Sequence, residues 1–210
     1  KYGMKFIQDV TSILARHRMP KPSDSAVPLT DDEKKEMKTY NPNGIHLRFL
    51  TPEMNFPMYQ NYIKETTKDQ ELTFYDKPIK DWRKEWLSTH VEHPDQLWVE
   101  KSINACAPNI VHAMDATHLM MTVLECKKQG IEDIMVVHDS FACGIGDMVT
   151  LSEALRNTLV DLYRDYNLYE DLLAQAKARH PDPDSVEWPE PPKRGKFNID
   201  EVYDSKYSFL

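Results

Sequence analysis

The run from Asn109 to Gln129 sets the tightest limit on how this chain can fold. Pro108 stands before it and Gly130 closes it, which predicts a helix that begins after a proline and ends at a residue free to turn left-handed. Ile110, Val111, Met114, Leu119, Val123 and Leu124 put apolar side chains on most of its circumference, and a helix apolar nearly all round is expected to be buried. Burying it requires layers on several sides. A chain of 210 residues with 40% hydrophobic content can supply one domain, or a domain and a half.

The segment that follows predicts a hairpin. Ile134-Met135-Val136-Val137 is a short β-rich run, His138-Asp139-Ser140 is polar, and Phe141 to Ile145 is apolar before Gly146. This reads as strand, tight turn, strand, with Asp139 raised on two buried apolar strands. Thr150 with Glu153 has the spacing of a capping box ahead of Leu151, Leu155, Leu159, Leu162 and Tyr166, which predicts an amphipathic helix, and another helix follows to about Ala178.

Upstream, Phe6, Ile7, Val10, Ile13 and Leu14 recur at helical spacing until Pro20 and Pro22. Thr30 and Glu33 form another capping box, predicting a short charged helix over Asp31 to Lys38 that Asn41-Pro42-Asn43-Gly44 breaks. Ile45, Leu47 and Phe49 alternate with His46 and Arg48 as in a strand ended by Thr51-Pro52. Tyr62 to Glu100 is polar and aromatic with weak periodicity, and is expected to be an extended, excursive element. Pro181 to Pro192 is an irregular acidic connector, and the fold class is α+β.

Composition bounds the function. There are 26 Lys plus Arg against 34 Asp plus Glu, a net charge of -8, which argues against a module whose whole surface grips phosphates. The acidic excess lies largely in the last third, so local patches can differ from the total. Cys106, Cys126 and Cys143 form no CxxC pair and leave an odd thiol, pointing to a reducing compartment rather than a disulfide or zinc framework. No apolar run approaches the ~20 residues of a membrane span, so a soluble chain with no membrane partner is expected. A first residue that is Lys, within a segment already reading as helix, suggests a piece of something longer.

Asp139 is the leading candidate for chemistry. A carboxylate held on a rigid hairpin suits a hard cation such as Mg²⁺, and two such ions ~4 Å apart would serve phosphoryl or nucleotidyl transfer. The competing account is that Asp139 serves turn geometry. A Ser/His/Asp hydrolase is excluded, because consecutive residues on a strand point to opposite faces and cannot form a relay. His112 and His118, six positions apart, lie about 240° apart round a helix and cannot share one ion. His112 and Asp115 do share a face, either as a polar stripe satisfied by neighbours or as the lining of a nucleic-acid groove.

Pro108-Asn109-Ile110-Val111-His112-Ala113-Met114-Asp115-Ala116-Thr117-His118-Leu119, followed by Val137-His138-Asp139-Ser140-Phe141, closely resembles the bacteriophage and mitochondrial single-subunit DNA-directed RNA polymerases. In that family a PNF(V/I)H…D(G/S)(S/T)H helix and an HDS motif are separated by the same distance. Thr51-Pro52…Phe56-Pro57…Tyr59-Gln60…Tyr62 is similar to the family's TP…FP…Y segment. Gly195-Lys196-Phe197-Asn198-Ile199…Ser208-Phe209-Leu210 looks like its aromatic C-terminal foot.

The resemblance implies the C-terminal part of a right-hand polymerase fold. Residues 1–61 would be a fingers and palm segment, 62–107 an inserted promoter-recognition-like element, 108–180 the palm with its hairpin, and 181–210 the foot. Asp139 would be a catalytic aspartate holding two Mg²⁺ ions, and His138 its neighbour at the active centre. Asn109, His112 and Asp115 would lie on the nucleic-acid side, and Phe209 and Leu210 would pack near the site. The implied partners are template and promoter DNA, nascent RNA and ribonucleoside triphosphates. The family's other metal aspartate precedes the region these motifs cover, so the remainder of the polymerase, or a second subunit, would supply it. Family A DNA polymerases usually follow His-Asp with Glu, whereas Ser140 and Phe141 here favour RNA synthesis over a DNA polymerase palm. A non-catalytic scaffold of the same fold would have no need for the carboxylate. The HDSF form leans toward a phage enzyme in the cytoplasm of an infected bacterial host, the alternative being a mitochondrial one.

Overall fold

The computed structural model describes residues 2–137 and 139–205. Helix α1 (Tyr2–Ala15) opens the chain and turns Phe6, Ile7, Val10 and Leu14 inward, as its periodicity predicts. Its C-terminal carbonyls are met by one buried side chain: Asn41 Nδ2 donates to Ala15 O at 2.8 Å and to His17 O at 2.9 Å. Helix α2 (Asp31–Thr39) begins with the predicted box, in which Glu33 N–H donates to Thr30 Oγ1 at 3.3 Å and Thr30 N–H to Glu33 Oε2 at 2.7 Å.

Strand β1 (Tyr40–Asn41) pairs with β5 (Asp81–Trp98), which pairs in turn with β4 (Ile63–Asp76), giving an antiparallel sheet ordered β1-β5-β4. Beyond its base this sheet is a two-stranded ribbon exposed on both faces, and this is the extended element expected over residues 62–100. Strands β2 (Arg48–Leu50) and β3 (Pro57–Tyr59) form a separate small hairpin. The alternation around it survives as burial, with Leu47 and Phe49 fully inside, although only Arg48 to Leu50 is paired.

Helix α3 (Val99–Lys128) is 30 residues long and corrects two expectations. It does not start after Pro108, because the chain passes from β5 straight into the helix and Pro108 lies within it. The proline is tolerated since both it and Asn104, whose carbonyl loses its helical donor, are on the exposed side. Nor is the helix buried all round: Ile110, Met114 and Cys126 are inside, but Val111 is 51% and Leu124 47% exposed.

Helices α4 (Met148–Tyr163) and α5 (Leu168–Arg179) complete the body. The box expected at Thr150 and Glu153 does not form, because α4 begins at Met148 directly after a 3₁₀ turn, Ile145–Asp147, and Thr150 already lies in its first turn. At the other end Arg194 caps α4 by donating to Arg164 O at 3.0 Å, to Tyr163 O at 3.1 Å, and to Tyr166 O. The main core joins α1, α3, α5 and the β2–β3 hairpin around Leu14, Phe49, Ile110, Met114 and Leu172.

Helix α5 meets β2 through an amide that imitates a neighbouring strand. Gln175 Oε1 accepts from Leu50 N–H at 2.8 Å, and its Nε2 donates to Leu50 O at 2.9 Å. Replacing Gln175 with Leu strands both backbone groups and should cost about 1–3 kcal/mol. Chemical denaturation of the two proteins checks this; equal stability would show that water takes over both groups.

Candidate active site and nucleic-acid face

The hairpin that carries Asp139 is fixed by the end of α3. Gly130 adopts φ of +87°, a left-handed conformation that costs glycine least. Its N–H donates to Lys127 O at 3.2 Å and Ile131 N–H to Cys126 O at 3.0 Å, the paired bonds of a Schellman ending. Ile131 and Cys126 then pack in one apolar cluster with Leu151, Ala154 and Leu155 of α4. Strands β6 (Ile134–Val137) and β7 (Ser140–Cys143) rest on this cluster through Ile134, Phe141 and Cys143.

Val137 pairs with Ser140, and Asp139 lies in the turn that joins the two strands. This matches the expected strand, turn and strand, with one correction: the strands are covered on one face only, and Met135 and Val137 are exposed on the other. Asp139 is exposed at the tip, beside a cavity of about 240 Å³ lined by Ser140, Phe141, Met148, Leu151, Ser152 and Leu155. His138 lies outside the described residues, as do Phe209 and Leu210.

Asp139 offers oxygen ligands of the hard kind that Mg²⁺ prefers. Among the described residues, however, no group of three or more His, Cys, Asp or Glu side chains is gathered to hold a metal ion.

His112 and Asp115 are exposed on the same side of α3, in line with Pro108, Asn104 and Lys101 one, two and three turns before His112. Asn109 is half-buried and faces the base of the ribbon, where its Nδ2 donates to Tyr62 Oη at 3.0 Å and Gln60 Oε1 at 3.2 Å. Lys101 sits between the rings of Trp98 and Tyr62, 4.9 and 5.1 Å from their centroids. Asn109 thus fixes the ribbon against α3, while His112 and Asp115 present the helix's open face.

His118, which the sequence places in the family-like helix motif but out of reach of an ion shared with His112, has a structural task. Its Nε2 donates to Leu155 O at 3.0 Å, and one turn later Thr122 Oγ1 meets Thr158 Oγ1 at 2.9 Å. Leu155 also lines the Asp139 cavity, so His118 links the α3 motif to the floor beneath the hairpin. Burial pushes the His118 imidazole below its ordinary value of 6.5, against the smaller opposing pulls of the Leu155 carbonyl and Asp115.

The sequence profile of the DNA-dependent RNA polymerase family matches residues 3–187. The chain belongs to this family. Its relatives are the phage and organellar polymerases that the two motifs resemble. DNA-directed RNA polymerase 1A of Nicotiana tabacum is 36% identical over 115 residues, covering 55% of this chain and 71% of that protein. The DNA-directed RNA polymerase of Enterobacteria phage T3 is 28% identical over 193 residues, 88% of this chain but 21% of that polymerase. The mitochondrial DNA-directed RNA polymerase 1 of Arabidopsis thaliana is 32% identical over 137 residues, 64% of this chain and 14% of that one. The chain therefore spans a minor part of the phage and Arabidopsis relatives. No described helix is long and apolar enough to cross a membrane.

The half-buried His118 gives a pH prediction for this chain. Its folded pKa lies below the unfolded one, so its contribution is complete above about pH 6.5 and is lost as pH falls toward the folded value. Denaturation midpoints should drop between pH 7 and pH 5, and His118→Gln should flatten that drop while costing about 1–3 kcal/mol at pH 7.5. An unchanged pH slope in the variant would show that other groups carry it; His17, also depressed chiefly by burial, is the next candidate.

Proposed function

We propose that this chain is the C-terminal palm-bearing portion of a phage-type RNA polymerase, carrying out DNA-templated RNA synthesis together with the rest of the enzyme. The observation that carries the reading is Asp139, exposed at the turn of a hairpin whose strands are seated on α3 and α4, in a chain that belongs to this family. Packing does not require a carboxylate there, since its side chain meets solvent. A rigid mount is what an active-site carboxylate needs.

In this reading the 3′-hydroxyl of the growing RNA attacks the α-phosphate of an incoming ribonucleoside triphosphate, and pyrophosphate leaves. Polymerases of this family generally use divalent metal ions. Asp139 would be one ligand of a pair of Mg²⁺ ions, which when bound supply Lewis-acid stabilisation of the reacting phosphate. The remaining carboxylate ligands would come from elsewhere in the polymerase, whether the same chain or a second subunit, because the described residues do not gather them. His138 would neighbour the reacting groups. His112 and Asp115, on the open face of α3, would lie along the template and nascent RNA, with Asn109 holding that helix to the ribbon.

The ribbon β4–β5 would be the promoter-facing insertion of residues 62–107, residues 108–180 the palm, and residues 181–210 the foot, with Phe209 and Leu210 packing toward the centre. Helix α3 runs across the 107/108 division, so the insertion and the palm would share one rigid element. The alignment to the phage T3 polymerase covers 88% of this chain, which favours action in the cytoplasm of an infected bacterial host over a mitochondrial setting.

The test is primer extension on a DNA template by the complete polymerase, wild type beside Asp139→Asn, offered ribonucleotides or deoxyribonucleotides with Mg²⁺. Ribonucleotide addition should fall by at least about a hundredfold in the variant while template binding persists. Normal extension by the variant would leave the scaffold reading in its place. Preferential use of deoxyribonucleotides by the wild type would assign it to DNA synthesis.

A further inference from the structure

The far half of the ribbon exposes large aromatic side chains that nothing in the fold uses. Tyr75 pairs across the strands with Trp82, and Glu71 with Trp86, so Tyr75, Trp82 and Trp86 all stand on one face. Trp82 is 65% and Trp86 70% exposed. The two indoles are four residues apart on one strand, about 13 Å along it. Tyr75 and Trp82 meet edge-on, with ring centroids 5.5 Å apart.

Charge is distributed unevenly along the same element. Lys77, Lys80, Arg83 and Lys84 cluster about the turn, against Asp76 and Asp81. Arg83 is paired with Asp76 and Lys84 with Glu71, while Lys77 and Lys80 form no ion pair among the described residues. Toward the base, the aromatic face gives way to Asp69, Glu65 and Glu92. The tip is therefore basic and aromatic, and the stem is acidic.

Resting on the reading of this chain as a nucleic-acid polymerase, we propose that the ribbon tip binds unpaired bases of a single strand. Tyr75, Trp82 and Trp86 would serve as the stacking platform, with Lys77 and Lys80 meeting the phosphates. This differs from reading a promoter duplex. A two-stranded ribbon fits the major groove, but base edges there are read by Arg, Lys, Asn, Gln and carboxylate side chains. On the aromatic face near the tip the cation is Lys84, already engaged by Glu71, and Arg83 on the other face is engaged by Asp76. Flat rings have little to recognise in a duplex, whose base faces are hidden in the stack. An unpaired strand offers every base face to an aromatic ring, and phosphates to the cations at the tip. The acidic stem confines the site to the tip, so only a few nucleotides are engaged.

The test uses the complete polymerase and oligodeoxynucleotide probes carrying 5-iododeoxyuridine, one single-stranded and one the duplex of the same sequence. On irradiation the single strand should crosslink to the peptide containing Trp82 and Trp86, and the duplex far less. Trp82→Ala/Trp86→Ala should abolish that crosslink and weaken single-strand binding about tenfold or more. Leu72→Ser/Phe74→Ser, on the opposite face, should leave both unchanged. Asp139→Asn should crosslink as wild type does, so failure here is separable from failure of the catalytic assignment. Equal or stronger crosslinking by the duplex would overturn the proposal in favour of groove reading. Absence of a ribbon crosslink from either probe, with unchanged affinity in the tryptophan variant, would overturn it in favour of a protein partner on the aromatic face.

Discussion

The hydrogen bonds that α3 sends across to α4 are what the rest of the structure hangs on. His118 to the Leu155 carbonyl and Thr122 to Thr158 are one helical turn apart on α3, the second buried and the first partly so. Shielded donors and acceptors demand partners, and a mismatch costs more than a lost apolar contact of the same size. Leu155 and Thr158 must therefore sit where α3 offers those partners, which sets both the separation and the axial register of the two helices. The apolar cluster beneath the hairpin, built from Cys126, Ile131, Leu151 and Leu155, can only close in that register.

From this spine the two exposed features leave in opposite ways. At its C-terminal end the helix stops at Gly130 with a full set of capping bonds, and the following chain is turned back at once into β6. Asp139 consequently rides on a short, well-anchored hairpin. At its N-terminal end there is no such stop: Trp98 ends β5 and Val99 starts the helix. The long ribbon is thus a direct prolongation of α3, steadied at its base by Asn109, Tyr62 and the Lys101 side chain between two rings. One element positions both the carboxylate and the excursion, which links whatever each of them touches.

Some of this was legible in the sequence, and the pattern of success follows from how local each signal is. The Thr30–Glu33 box was readable because its parts lie within one turn and its helix starts there. The same letters at Thr150 and Glu153 misled, since α4 already begins at Met148, directly after a 3₁₀ turn, which places Thr150 inside the helix rather than at its cap. Pro108 looked like a first-turn proline, yet its position on the exposed side lets a long helix run through it. The ribbon gave only weak periodicity because an element wet on both faces has no reason to alternate. Val111, Leu124, Met135 and Val137 were expected inside; apolar letters report affinity for burial, and these side chains lie on faces that this chain leaves open.

The candidate site divides along the same line. A turn between two four-residue β-rich runs is a local signal, so Asp139 could be placed at a hairpin tip before any coordinates. His118 could not be given its role, because its partner is 37 residues away and is a main-chain carbonyl, which every residue possesses. Composition and spacing can mark a carboxylate that packing does not need, but they carry no mark for a group whose importance lies in where the backbone of another helix happens to pass. The hairpin and the place of Asp139 on it were therefore readable from their own residues, whereas the reason it stands over a fixed floor became visible only with α3 and α4 in register.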